Sequence, residues 1–272
     1  MELSTRAICL EWLASNCSHF YAFGEGPSEL ERQQTALAEL ALLLFLTRTA
    51  PRVGLTAAES ACLAALDLSF RRAVLHPSTQ SFIESCPPAA IQAPMLYRLA
   101  APELFAQLDE RYFCSPSILA GVRDRPRIRW LEFIALGDML GLRLADCDIG
   151  DRYERDSNPD DIPETPYALT HMVFYLTRFG RQSDLGDVDK LTDACLRWLA
   201  AAVSIGDWDV TAECVMCLNY LGVDASRSRV SALSSMRQHA VAGSATGSMS
   251  RNTQEFFAEY HKRLVTVLAL WQ

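Results

Sequence analysis

Apolar residues recur at three- and four-residue steps along most of this 272-residue chain, as in Ile8, Trp12 and Leu13 or Leu37, Leu40 and Leu44. The alternating pattern of a half-buried strand is nearly absent, so the chain must bury helix faces against helix faces. Three capping boxes mark helix starts: Ser28 with Glu31, Thr56 with Glu59, and Asn252 with Glu255. Breakers at 24–27, 51–54, Pro77, Pro87 and Pro88, Pro94, Pro102, Pro116, Pro126 and Gly141 cut the first half into short pieces. Helices are expected over 166–180, 184–205, 207–221, 225–241 and 252–270.

Roughly ten to twelve helices with mostly short connections imply antiparallel neighbours. The expected fold is all-α, built of stacked helix hairpins that form either a closed ring of the α/α toroid type or an open solenoid. No self-similar unit of fixed length recurs, which argues against tetratricopeptide and ankyrin arrays. The chain is expected to form a single helical domain over 1–272, with a polar, acidic boundary or lid at 146–165 and a small-residue loop at 243–250.

With 50% hydrophobic residues the chain can fill a sizeable core, and a formal charge of −8 would repel a phosphate backbone, so nucleic acid is not an expected partner. The longest apolar run, 40–46, falls far short of the ~20 residues that span a bilayer, so no membrane span is expected. Glu2 stands where a signal peptide needs basic residues. The nine cysteines are odd in number and lie mostly in apolar helical stretches, as reduced thiols do. These features point to the cytoplasm. The single C-x-x-C, Cys214 and Cys217, lacks a second pair at zinc spacing and reads as helix interior.

The chemistry-bearing segment is Pro166-Tyr167-Ala168-Leu169-Thr170-His171-Met172-Val173-Phe174-Tyr175. On a helix, His171 lies between Tyr167 and Tyr175 and close to Phe174, in an aromatic stripe screened from water. Such an imidazole is either satisfied by Thr170, a tyrosine hydroxyl or a backbone carbonyl, or it works as a proton shuttle.

This segment, continued by Thr177-Arg178-Phe179-Gly180, resembles a bacterial family of helical proteins without assigned activity. The family's pattern is Tyr-Ala-Leu-Thr-His, then Phe-Tyr, then Thr-Asp-Phe-Gly, and its members stand beside genes for specialised metabolism. The resemblance extends to Arg129-Trp130-Leu131-Glu132-Phe133, Asp138, the stretch 207–213, and Tyr260-His261. Arg178 departs from the family's acid: either chemistry is altered there, or the position only serves a helix end, where a cation is favourable.

Among these positions, Glu132, His171, Glu213 and His261 follow one another at intervals of about one helix hairpin, so in a ring or solenoid all four can face one concavity. The expected catalytic set is His171, Glu213, His261 and Tyr175, with Tyr167, Thr170, Glu132 and Asp138 as ligand-binding residues. Carboxylates that hold an imidazole's tautomer suit general acid–base work. His171, His261 and Glu213 could instead hold a divalent ion, but the usual pair of histidines one turn apart is missing, so no metal is assigned and no cofactor is specified. Each group also has a bland alternative: Glu213 as an exposed first-turn acid, His261 on a solvated face, and His19 and His76 as helix-end caps.

The leading expectation is a small-molecule enzyme or ligand-binding protein of a biosynthetic pathway. The alternative is a non-catalytic helical scaffold that binds a protein or peptide, such as a pathway protein. The sequence specifies no oligomeric state.

Overall fold

The computed structural model describes residues 4–21, 27–49, 54–123, 125–142, 144, 161–182, 185, 188–223, 226–245 and 253–271. Among them are thirteen α-helices and no strand. They are α1 (Thr5–Ser15), α2 (Pro27–Thr49), α3 (Ala57–Val74), α4 (Pro77–Glu84), α5 (Gln92–Ala100), α6 (Glu110–Phe113), α7 (Pro116–Arg123), α8 (Arg127–Met139), α9 (Pro166–Leu176), α10 (Asp189–Ile205), α11 (Trp208–Tyr220), α12 (Ser226–Ala245) and α13 (Thr253–Ala269). Short 3-10 turns occupy Cys17–Phe20 and Pro88–Ala90. None of the described helices is long and apolar enough to cross a membrane.

Local chemistry explains most of the boundaries. Thr56 and Glu59 form the expected capping box: the Thr56 hydroxyl accepts from the Glu59 amide at 3.2 Å, and the Thr56 amide donates to Glu59 at 2.9 Å. Pro77, Pro116 and Pro166 each stand first in a helix, where no amide is needed. His76 caps α4, its Nδ1 accepting from the Ser78 amide at 3.2 Å.

Some boundaries differ from expectation. Helix α2 begins at Pro27, so Ser28 lies inside its first turn and is not the residue that precedes it. Pro94 breaks nothing, because it falls in the first turn of α5. Helix α10 starts at Asp189, five residues later than the pattern suggests, and α12 runs on to Ala245, into the expected small-residue loop. Asn252, residues 246–250 and residues 146–160 of the expected lid lie outside the described residues. The end of that segment is anchored, since Arg127 on α8 pairs with the Asp161 carboxylate and donates to its carbonyl at 3.2 Å.

Six helices pack in a closed circuit: α2 on α5, α5 on α8, α8 on α9, α9 on α11, α11 on α13, and α13 back on α2. Helices α1, α3, α10 and α12 pack against it, α1 on α13, α3 on α2, and α10 and α12 on α11. The core is continuous from Leu10 and Leu13 through Leu37, Tyr97, Trp130 and Val173 to Leu218 and Val267. A buried cation helps to lock the last helix: Arg263 on α13 lies 4.7 Å from the Trp12 ring and 5.5 Å from the Trp208 ring. Trp208 in turn donates its indole N–H to Thr266 at 2.7 Å.

Two junctions set the position of the inner helices. Gly206, at φ +71°, ends α10, and Asp207 at once caps α11 by accepting from the Val210 amide at 3.1 Å. At the end of α9, Arg178, Phe179 and Gly180 are all left-handed. Arg178 donates to the carbonyls of Tyr175 and Leu176 at 3.1 and 3.2 Å and pairs with Asp138 at 2.6 Å. It therefore acts at a helix end, neutralising the carbonyl pole of α9 and tying it to α8.

Two predictions follow from this packing. A Cβ on Gly180 would stand 2.6 Å from the Tyr220 ring at φ +80°, so Gly180→Ala should cost about 1–3 kcal/mol in urea unfolding. Burial alone would raise the pKa of Glu59, but hydrogen bonds from Arg6, at 2.8 Å, and from Thr56 outweigh it and hold the carboxyl below its ordinary value. The stabilisation is thus present above the ordinary carboxylate range and lost as pH falls through the lower folded value. Glu59→Gln should cost roughly 2 kcal/mol at pH 7, and the gap from wild type should shrink on acidification toward pH 3.

Candidate functional site

Four helices of the circuit bring ionisable side chains together. Glu39 comes from the middle of α2, Asp209 and Glu213 from the first turns of α11, His261 from α13, and Thr170 with His171 from α9. The pattern places Asp209 and Glu213 four residues apart, on one face of α11, just after the Asp207 cap that fixes where the helix starts.

His261 is the centre. Its Nδ1 lies 2.8 Å from Glu39, and its Nε2 lies 3.4 Å from Asp209 Oδ1 and 3.6 Å from Glu213 Oε1. Glu213 is almost wholly buried, and its other oxygen accepts from the Thr170 hydroxyl at 2.6 Å. Asp209 Oδ1 is buried and has no hydrogen-bond partner among the described residues. Asp209, Glu213 and His261 each offer one metal-ligating atom, all within 4.8 Å of one another.

The charges shape one another. Burial works against a charged His261, but Glu39, Glu213 and Asp209 outweigh it and push its pKa up to about 11. Burial pushes Asp209 up to about 6, against the pull of His261 and with the help of Glu213, Asp207 and Glu39. Glu213 goes the other way: burial would raise it, yet His261, His171 and Thr170 together hold it below its ordinary value.

A second group adjoins this one. Glu132 on α8 is buried, pairs with Arg129 at 2.8 Å, and lies within electrostatic reach of the Tyr175 phenol. Burial and then Glu132 raise the Tyr175 phenol well above its ordinary range, which keeps it a neutral donor. The phenol of Tyr167, 49% exposed, is within electrostatic reach of Arg129, Glu132, Glu213 and Glu39, so it stands between the two groups. His171 stacks on Tyr167 at 3.9 Å between ring centres and lies 5.5 and 5.9 Å from Phe174 and Tyr175. Its Nδ1 is 3.0 Å from the Tyr167 carbonyl, so Nδ1–H donates there and the lone pair of the neutral ring lies on Nε2.

The structure thus joins Glu213, His261 and Thr170 directly, sets His171 and Tyr167 beside them, and holds Glu132 and Tyr175 in the adjoining pair. Asp138 stands apart at the far end of α8, paired with Arg178. Glu213 is buried and not an exposed first-turn acid, whereas His261 is partly exposed, its side chain 31% accessible among Glu39, Asp209 and Glu213. Glu39 and Asp209 escaped the sequence analysis. Their signal was present, since Glu39 interrupts the apolar run of α2 and Asp209 stands one turn before Glu213, but only the third dimension pairs them with His261. Cys214 and Cys217 are buried free thiols, both raised by burial, and so are poor nucleophiles and metal ligands.

A cleft of about 670 Å³ opens between α2 and α13, lined among others by Glu31, Arg32, Thr35, Gln254, Phe257 and Tyr260. Thr35 and Phe257 stand four residues before Glu39 and His261, so the two helix faces that line the cleft carry that pair one turn further on. Neither His171 nor Glu39, Asp209, Glu213 or His261 lines it.

Neither a curated protein nor a solved structure is significantly similar to this chain. A family model described as a domain of unknown function, DUF6895, matches residues 7–271, and the chain belongs to that family.

Proposed function

We propose that this protein binds a small molecule at the inner faces of α2, α9, α11 and α13 and acts on it by proton transfer. The circuit of six helices supports reading the fold as a closed ring of hairpins whose centre holds the site. The observation that carries the proposal is His261, fixed by Glu39 at 2.8 Å and facing Asp209 and Glu213, one turn from the α2–α13 cleft. A cleft of this volume suits a metabolite-sized ligand.

In this reading the roles divide by charge. With no ion bound, His261 is protonated at neutral pH and supplies a positive charge, which makes it an orienting group and leaves it no lone pair to accept a proton there. Asp209, pushed up to about 6, sits close to neutral pH and is the better general acid or base. His171 offers its Nε2 as a proton shuttle, with Glu213, Tyr167 and Thr170 positioning it and Glu132 and Tyr175 supplying donors and acceptors beside it. Three carboxylates against one imidazolium favour cationic or hydroxyl-rich ligands over organic acids. The family resemblance suggests a biosynthetic pathway, and the eight free cysteines among the described residues favour the cytoplasm.

A scaffold reading draws on a different observation. Val230, Leu233 and Val241 are exposed on α12 at helical spacing, and Ile205, the last residue of α10, is 77% exposed. A peptide-binding protein would use such a stripe and would leave the cleft empty.

A thermal-shift screen with amines, polyols and organic acids separates the two. A ligand at ten times its Kd adds about 1.4 kcal/mol, a rise of roughly 3–5 °C for a chain of this size. Amines or polyols should raise the wild-type Tm by that amount and should fail to do so in Ala258→Trp, which fills the cleft. No stabilising compound, or equal stabilisation of Ala258→Trp, would overturn the small-molecule reading in favour of the scaffold.

A further inference from the structure

The distances around His261 fall into two kinds. Its Nδ1 makes an ordinary charge-assisted hydrogen bond to Glu39 at 2.8 Å. Its Nε2 is held off Asp209 and Glu213 at 3.4 and 3.6 Å, beyond the ~2.7–2.9 Å of such bonds. Donors around one divalent ion stand further apart than hydrogen-bonded atoms do. Ligand bonds of about 2.0–2.2 Å at angles of 90–110° set neighbouring donors roughly 3.0–3.5 Å apart.

The rest of the arrangement fits the same purpose. Asp209 Oδ1 is a buried oxygen without a hydrogen-bond partner among the described residues, and it faces Nε2. Glu213 uses Oε2 for Thr170 and turns Oε1 toward Nε2. Two of the three donors are braced from behind: His261 by Glu39, and Glu213 by Thr170. A carboxylate on the far nitrogen of a ligating histidine fixes its tautomer and orientation, as metal sites require.

We infer that Asp209, Glu213 and His261 form a divalent-cation site, the ion displacing the Nε2 proton of His261 and taking the place of its positive charge, with Glu39 and Thr170 as the outer residues that orient the ligands. One imidazole and two carboxylates suit Mn²⁺, Fe²⁺ or Zn²⁺. Three protein ligands leave coordination positions for water or for an oxygen of the bound small molecule, which would join the site to the proposed activity. The inference deepens that activity and rests on it for its purpose, whereas ion binding itself can be measured without any substrate.

Mn²⁺ is the probe of choice because it avoids the chain's thiols. The full-length protein, stripped with a chelator, is titrated with Mn²⁺ and free ion is read by electron paramagnetic resonance. We expect one bound ion per chain, binding lost in Asp209→Asn, weakened about 10–100-fold in Glu39→Gln, and unchanged in Glu259→Gln on the outer side of α13. Electron spin-echo modulation of the wild-type complex should show one coordinated imidazole nitrogen, a readout that needs no variant. Absence of saturable Mn²⁺ binding, a bound ion without imidazole coupling, or unchanged affinity in a folded Asp209→Asn would overturn the inference. The ligand screen above is run without metal, so a compound that stabilises the stripped protein would keep the acid–base reading even if Mn²⁺ does not bind.

Discussion

The bond between His261 and Glu39 joins residues 222 positions apart and lies on the packing of α13 against α2, the contact that closes the circuit of six helices. Every other link in that circuit joins helices closer in sequence. Loop closure over so long a chain costs conformational entropy, and apolar contact supplies most of what offsets it. Apolar contact alone is indifferent to register, however. A directional bond between an imidazole and a carboxylate fixes which turn of α13 meets which turn of α2, and so where the flanking cleft and the opposite ring nitrogen fall.

The charges that remain inside are consistent with that geometry. Arg263, two residues after His261, is solvated by the faces of Trp12 and Trp208 in place of water. Arg129 answers the buried Glu132, and at the surface Arg178 answers the exposed Asp138. The group around His261 differs, because three carboxylates share a single imidazolium. Such an imbalance is costly in a purely structural cluster, and it is the feature that separates this place from the ordinary ion pairs elsewhere in the chain.

Much of the helical fold is legible in the sequence, because period, caps and proline positions are local. Thr56 with Glu59, Pro77 after His76, and the Gly206-Asp207 hinge each encode a boundary within a few residues. Boundaries went astray where the signal was ambiguous: Pro94 suits a first turn as well as a break, and Ser28 suits a first turn as well as a cap. For the candidate site, the hairpin-like intervals among His171, Glu213 and His261 were readable, and these residues do come near one another. Glu39 and Asp209 were not, since a lone acid in an apolar run gives no sign of its partner until α2, α11 and α13 meet. Asp138 shows the converse, a conspicuous acid whose partner is the helix-end cation Arg178.

The most direct test of this account is a double-mutant cycle on Glu39 and His261, using Glu39→Gln, His261→Gln and the double variant in urea unfolding. If the pair fixes the junction of the first and last inner helices, the cycle gives a coupling energy of roughly 1–3 kcal/mol. Additive effects, with a coupling near zero, would mean that the circuit closes on apolar packing alone and that the orientation of His261 comes from elsewhere.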